Sequence, residues 1–333
     1  MRVFGQCVMG ACLGAAVVVG AQGPGTGPAD AAGKVLAAAR EALGGEKKLA
    51  AVTSFVVTGR TRQVRGDNLV PIEFEIAVEL PDKYVRKDEI PAQESGPTST
   101  GFNGDGLIQL PPAPPPSAMP VRAGGPPASS GAPPGPGRPA GPPADPRVAR
   151  LNAVKQDFVR LTLGMFASSF SSYPLSFTYF GKAEAPQGKA DVIDAKGPGT
   201  FAVRFFVNEQ THLPIMLSWQ VPPTNVILIA PGQPPPATVA PGAVVAEGPA
   251  PLSATATQED KDKYMKDVAD ARRKAMAKLV ENRIYYADYR DADGLQFPFR
   301  IRKAVGADTI EETVFDKFKI NPKIDPKKFE VIK

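Results

Sequence analysis

Along residues 70–80, apolar and acidic side chains alternate. Val70, Ile72, Phe74, Ile76, Val78 and Leu80 share one parity, and Glu73, Glu75 and Glu79 share the other. A period of two over this length predicts a strand with one apolar and one acidic face. Similar but shorter patterns predict a strand from Leu49, Val52, Phe55 and Val57 to about Val64, and others at 83–88, 175–180, 191–195, 201–207, 214–220, 282–289, 297–305 and 312–320. Gly66-Asp67-Asn68, Pro81-Asp82, Asn208 to Thr211 and Asp291 to Gly294 read as the turns between them, and 101–109 as a glycine hairpin.

Three stretches carry a helical period instead. Asp30 is a candidate N-cap for a helix with Val35, Leu36, Ala39 and Leu43 in a stripe, ended by Gly44-Gly45. Val148, Leu151, Val154, Phe158, Leu161 and Met165 recur at steps of three and four, with Arg147, Arg150, Lys155, Gln156 and Arg160 expected opposite them. A charged helix from about Gln258 to Leu279 has a thin stripe of Tyr264, Val268, Ala271, Ala275 and Leu279. The sum is an α+β fold: about ten strands in a mostly antiparallel meander, interrupted midway by an amphipathic helix. Short turns need no crossover helices, and the two main helices are available to cover the sheet's apolar face.

Two segments interrupt this pattern. Residues 111–146 hold fifteen prolines and six glycines, a composition that predicts an extended, mobile insertion. Residues 222–251 repeat it more mildly, with nine prolines around Val226-Ile227-Leu228-Ile229. Each is a linker or, alternatively, a polyproline recognition segment. The expected organisation is residues 1–21 as an export signal and 22–333 as one domain, interrupted at 111–146 and at 221–280.

The signal is read from the start of the chain. Arg2 is the only charge before Asp30, an apolar run follows, and Val19 and Ala21 stand at −3 and −1 of a cleavage site before Gln22. An uncleaved anchor and a lipid-modified Cys12 are the alternatives. Cleavage would remove Cys7 and Cys12, the only two cysteines, and with them any disulfide, thiol nucleophile or cysteine-ligated metal. The formal charge of +5 is too small and scattered to argue for nucleic acid.

Catalytic constellations are not found. His212 is the only histidine; without a second or a cysteine a zinc site is not expected, and no Gly-x-Ser-x-Gly elbow accompanies it. It reads as structural. Asp288, Asp291 and Asp293 do not match the spacing of a calcium loop, and Gly101 to Gly106 lacks a phosphate-loop ending. Lys323, Lys327 and Lys328 read as a solvated tail, with anionic headgroups as an alternative. What remains is apolar surface. The strand face Ile72, Phe74, Ile76 and Val78 and the helix residues Phe158, Leu161, Met165 and Phe166 either pack dry or line a cavity.

Several segments resemble the LolA/LolB superfamily of periplasmic lipoprotein carriers, in particular outer membrane lipoprotein-sorting proteins. They are Leu43-Gly44-Gly45, Leu80-Pro81-Asp82-Lys83-Tyr84-Val85-Arg86, Phe102-Asn103-Gly104-Asp105-Gly106, the run from Asn208 to Pro214, that from Asp293 to Pro298, and the ending from Ile320 to Phe329. The resemblance implies an unclosed, strongly curved antiparallel half-barrel, with helices covering its concave face and a lid that moves to admit an acyl chain. It implies no cofactor, a lipid or lipoprotein acyl chain as ligand, membrane-associated donor and acceptor proteins, and work in the periplasm; no metal and a monomer are expected besides. The proline-rich insertion and the charged helix depart from the pattern. Arg60, Arg62 and Arg86 are the candidates for the arginine that tethers the family's lid. The expected function is therefore a non-enzymatic lipid carrier. An envelope interaction module with a dry core and a proline-rich partner segment is the alternative, and a hydrolase using His212 the third reading.

Overall fold

The alternation of residues 70–80 is realised as β2 (Asn68–Glu79), with Ile72, Phe74, Ile76 and Val78 all buried. The computed structural model describes residues 27–66, 68–91, 96–112, 145–185 and 188–331. The expected export signal and most of the first insertion lie outside them, as does Asp67 of the first turn.

β2 lies between β1 (Ser54–Arg65) and β3 (Lys83–Glu89), which leads to β4 (Thr98–Asn103) and β5 (Gly106–Leu110). The second half contributes β6 (Ser176–Ala185), β7 (Gly188–Lys196), β8 (Ala202–Asn208) and β9 (Pro214–Val221). The last three are β12 (Val280–Ala292), β13 (Leu295–Val305) and β14 (Asp308–Ile320). Together they form one twelve-stranded antiparallel sheet in the order β5-β4-β3-β2-β1-β14-β13-β12-β9-β8-β7-β6. β5 and β6 are its edges, so it is not closed. Twelve strands stand against the ten or so expected; the glycine hairpin alone supplies two.

The first and last strands of the meander join at the centre. β1 and β14 slip register between Thr58 and Gly59, leaving Asp316 as a bulge. Gly59 is required there: a Cβ would fall 2.3 Å from the Val314 carbonyl oxygen and 2.8 Å from the tip of Phe74. Asn321, at a φ of 50°, closes the joint. Its side-chain oxygen accepts from the Thr53 and Ser54 amides (2.8 and 3.2 Å), and its amide donates to the Ala51 carbonyl at 3.0 Å.

The helices differ from expectation in detail. α1 (Pro28–Ala42) begins one turn early: Gly27 is its N-cap with Pro28 behind it, and Asp30 instead sits in the first turn, where a carboxylate faces the positive end of the helix. Leu49 belongs not to a strand lead-in but to α2 (Glu46–Ala50). α3 (Pro146–Phe166) is capped by Asp145, whose carboxylate accepts from the Arg147 amide at 2.8 Å. Lys155 and Arg160, expected on its solvent face, turn inward, and Val148 is left exposed. The helix is covered on more than one side. Lys155 Nζ is 2.8 Å from Asp105 at the β4–β5 turn, while Phe166 packs on Phe55 and Phe297.

The second insertion folds into β10 (Asn225–Ile229) and β11 (Ala243–Glu247), a parallel pair the sequence reading did not foresee, with α4 (Gln258–Met276) against it. Thr257 and Asp260 cap α4 reciprocally. The C-terminal tail is not simply solvated. Ile324 and Phe329, the latter in a 3-10 turn at Pro326–Phe329, are buried on the sheet's other face against Ala77, Val85 and Ile108, and Lys328 pairs with Glu75. Among the described residues no helix is long and apolar enough to cross a membrane.

Candidate functional site

On the inner face of the sheet, the face that α3 covers, β1, β13 and β14 carry apolar residues at one end and polar residues at the other. β1 runs inward Phe55, Val57, Gly59, Thr61, Gln63; β13 runs Phe297, Phe299, Ile301, Lys303. Strand pairing brings the polar ends together: Gln63 opposite Glu311, and Glu311 opposite Lys303. Between this end and α3 lies a cavity of about 310 Å³. Its wall is Ile72, Ile76, Ile284, Ile301 and Phe315 from the sheet, and Val154 and Leu161 from α3. That volume sits at the lower end of the roughly 300–1,000 Å³ typical of ligand pockets.

The rim is ionic and internally bonded. Arg86 donates to Asp88 at 2.7 Å and to the Thr61 hydroxyl at 3.2 Å, with its guanidinium 4.5 Å from the Phe74 ring centre. An ionised carboxylate can only accept, so the single Thr313 proton goes to Glu311 at 3.4 Å, and Thr61, which accepts from Arg86, is the donor to Thr313 at 2.9 Å. Glu311 also accepts from Gln63 at 3.3 Å and pairs with Lys303 at 2.9 Å. Burial is the largest influence on the Glu311 carboxyl and pushes it up, yet Lys303, Arg86 and the Thr313 hydroxyl together hold it below the usual carboxylate range. Burial likewise works against the charge on Arg86, but Asp88, Tyr84 and Glu311 outweigh it and raise its pKa.

Arg160 closes the α3 side. It pairs with Asp157 at 3.0 Å and lies 4.4 Å over Trp219 and 5.4 Å over Phe201. Its Nε has no hydrogen-bond partner among the described residues. Burial, the main influence, holds its pKa below the ordinary value. α3 is anchored beside it: Tyr286 donates to the Arg160 carbonyl, and the Tyr289 hydroxyl reaches the carbonyls of Pro214 (2.8 Å) and Gly164 (3.1 Å). Burial raises the pKa of both phenols far above neutrality, so both stay protonated and keep these bonds.

Of the residues singled out from sequence, Ile72, Ile76 and Leu161 line the cavity. Phe74 and Val78 share the inner face but are packed: Phe74 lies edge-on to Phe315 and under Arg86. Phe158 is fully buried among Tyr84, Phe102 and Phe170, and Met165 and Phe166 are equally buried in the core. Of the three arginines, Arg86 is at the cavity, while Arg60 pairs with Asp316 and is exposed. Thr61, Thr313, Glu311 and Lys303 were missed by the sequence reading. Their signal was phase: Thr61 and Gln63 continue the inner parity of Phe55 and Val57.

The arrangement can hold an amphiphile, with an apolar wall below and fixed charges of both signs at the mouth. His212 is elsewhere, exposed in a tight turn at a φ of 56°. Asp293 and Gly294 form the β12–β13 turn, Asp291 accepts from the Gly294 amide at 3.2 Å, and Asp288 pairs with Arg290. Among the described residues no three His, Cys, Asp or Glu side chains converge in a way that could hold a metal.

No protein-family model matches the chain, and no curated protein does. Solved structures do. A LolA superfamily protein from Nitrosomonas europaea matches over 90% of this chain and 97% of its own, at 13% identity and a TM-score of 0.44. An outer membrane lipoprotein-sorting protein domain from Vibrio parahaemolyticus matches over 90% and 97%, at 8% identity and 0.41. A DUF1329 family protein from Desulfovibrio piger matches over 92% and 98%, at 7% identity and 0.41.

Proposed function

We propose that this protein is an exported, non-enzymatic binding protein that shields an acyl chain of a lipid or lipoprotein in the periplasm, and that the sheet curves as a half-barrel around α3. The observation that carries the reading is the cavity: apolar walls from β2, β12, β13, β14 and α3, with Arg86, Lys303, Arg160 and their carboxylate partners also lining it. Burying a methylene is worth about 0.8 kcal/mol. About six of them contribute roughly 5 kcal/mol, a Kd of a few tenths of a millimolar. Binding of that strength is reversible, as delivery requires. Charge-assisted contacts between the rim and a headgroup add to it.

Domain organisation follows the same reading: a signal at 1–21 and one domain carrying both insertions. Handover would involve membrane-associated donor and acceptor proteins. Native mass spectrometry of protein purified from the cell envelope is the test, with co-purifying lipid the expected result. Protein that is consistently empty and shows no saturable uptake of a fluorescent fatty acid would refute the function.

A further inference from the structure

The second insertion leaves and rejoins the sheet at one point, since Val221 of β9 pairs with Val280 of β12. Ile284 and Lys303 of the cavity are opposite one another only a few residues from that root. The unit is held against the same end: a Cβ on Gly242 would stand 3.1 Å from Val305, and the Gly306 amide donates to the Glu281 carbonyl at 2.8 Å. α4 therefore belongs to the cavity-mouth end of the molecule.

α4 turns Tyr264, Val268, Ala271 and Ala275 toward the β10–β11 pair. A second stripe, Lys261, Met265, Ala269, Arg272 and Met276, follows steps of four, four, three and four and is exposed throughout. Met265 is 65% exposed and Met276 44%. No acid falls on this stripe. Three acids of α4 are engaged elsewhere: Asp260 in the cap, Asp262 by Gln258 at 3.0 Å, and Asp270 by Arg273 at 2.6 Å. Lys261 and Arg272 have no ion pair among the described residues. Lys274 and Lys278 add positive charge at the same end, and Val64 and Leu69 of the β1–β2 hairpin are exposed at the same sheet end.

We infer that this stripe is a docking surface for an anionic lipid membrane, which would set the cavity mouth at the bilayer. A convex helix with unbranched apolar residues between cations has no groove to receive a peptide. It does suit the headgroup boundary, where apolar side chains insert and cations meet phosphates. The surface is independent of what fills the cavity.

The test is co-sedimentation of the exported chain with vesicles of equal parts phosphatidylglycerol and phosphatidylcholine, against phosphatidylcholine alone. Salt-sensitive binding to the anionic vesicles is expected. Met265→Asp/Met276→Asp and Arg272→Glu should each weaken it by roughly tenfold or more while circular dichroism and fatty-acid uptake stay unchanged. Equal binding to both vesicles, no binding, or variants that bind like the parent would overturn the proposal. So would loss of a dimer, rather than of vesicle binding, in the variants. Retained vesicle binding by a protein that takes up no fatty acid would refute the carrier reading alone.

Discussion

The ring of Tyr286 occupies the space a side chain on Gly164 would need: a Cβ there would fall 2.3 Å from the ring. The contact sets how closely α3 approaches β12, with the Tyr286 hydroxyl tied to the helix backbone one turn earlier. Gly164→Ala gains up to about 1 kcal/mol of helix propensity. It loses about 1–3 kcal/mol to overpacking. We expect a net destabilisation of about 1–2 kcal/mol in denaturant unfolding. The same substitution in a Tyr286→Leu background should cost less, a coupling that a double-mutant cycle measures directly.

Gly164 also illustrates what the sequence could and could not convey. Strand and helix positions were legible because each follows from a local period, and β2 is the clearest case. What was not legible depends on partners distant in sequence. Lys155 and Arg160 look solvent-facing on a helical wheel that assumes one buried side, but α3 is packed on several, so Lys155 meets Asp105 and Arg160 meets Trp219. The polar rim could be anticipated in β1, where parity is unbroken. It was hidden in β14, where the bulge at Asp316 puts Phe315 and Phe318 on one face and breaks the count. For Phe158 and Phe166 the sequence leaves dry packing and a cavity wall both open, since an apolar stripe does not say whether a space is filled; the aromatic rings around them fill it. The parallel β10–β11 pair lies among prolines that mask strand signals.

Glu311 links the rim to pH. Its folded pKa is lowered, so the folded state binds its proton less readily than the unfolded chain. The stability this provides is fully present above the unfolded value of about 4.5 and is lost as pH falls through the lower folded value. Glu311→Gln should be less stable than the parent at neutral pH by about 1–3 kcal/mol, because Lys303 and Arg86 lose a buried partner. The gap should narrow as the pH is lowered from about 5 to about 3. Urea unfolding across that range checks both. A gap that stays constant would mean the carboxylate is not the source.

Asn321 fastens the end of β14 to the start of β1 with four hydrogen bonds to one side chain. Asn321→Ala loses them all and must hold a φ of 50°, which alanine tolerates poorly. A loss of about 2–4 kcal/mol is expected. Asn321→Gly relieves the backbone cost and should recover about 1 kcal/mol of it. Thermal unfolding of the two variants separates the bonds from the strain.

The cavity itself predicts a split between binding and stability. Leu161 is half-buried, faces the cavity from α3 and is not enclosed by the aromatic core. Leu161→Trp places extra volume in empty space, so it should leave stability within about 1 kcal/mol of the parent. It should weaken fluorescent fatty-acid binding by roughly tenfold, as about two methylenes' worth of apolar contact is displaced. Val78→Ala, at a fully buried position away from the cavity, should do the opposite. It costs about 1–3 kcal/mol of stability through the void it leaves, with little change in affinity. Titration and unfolding of both variants test the assignment together. If Leu161→Trp destabilised the fold without weakening binding, the ligand would have to sit elsewhere than between α3 and the polar end of the sheet.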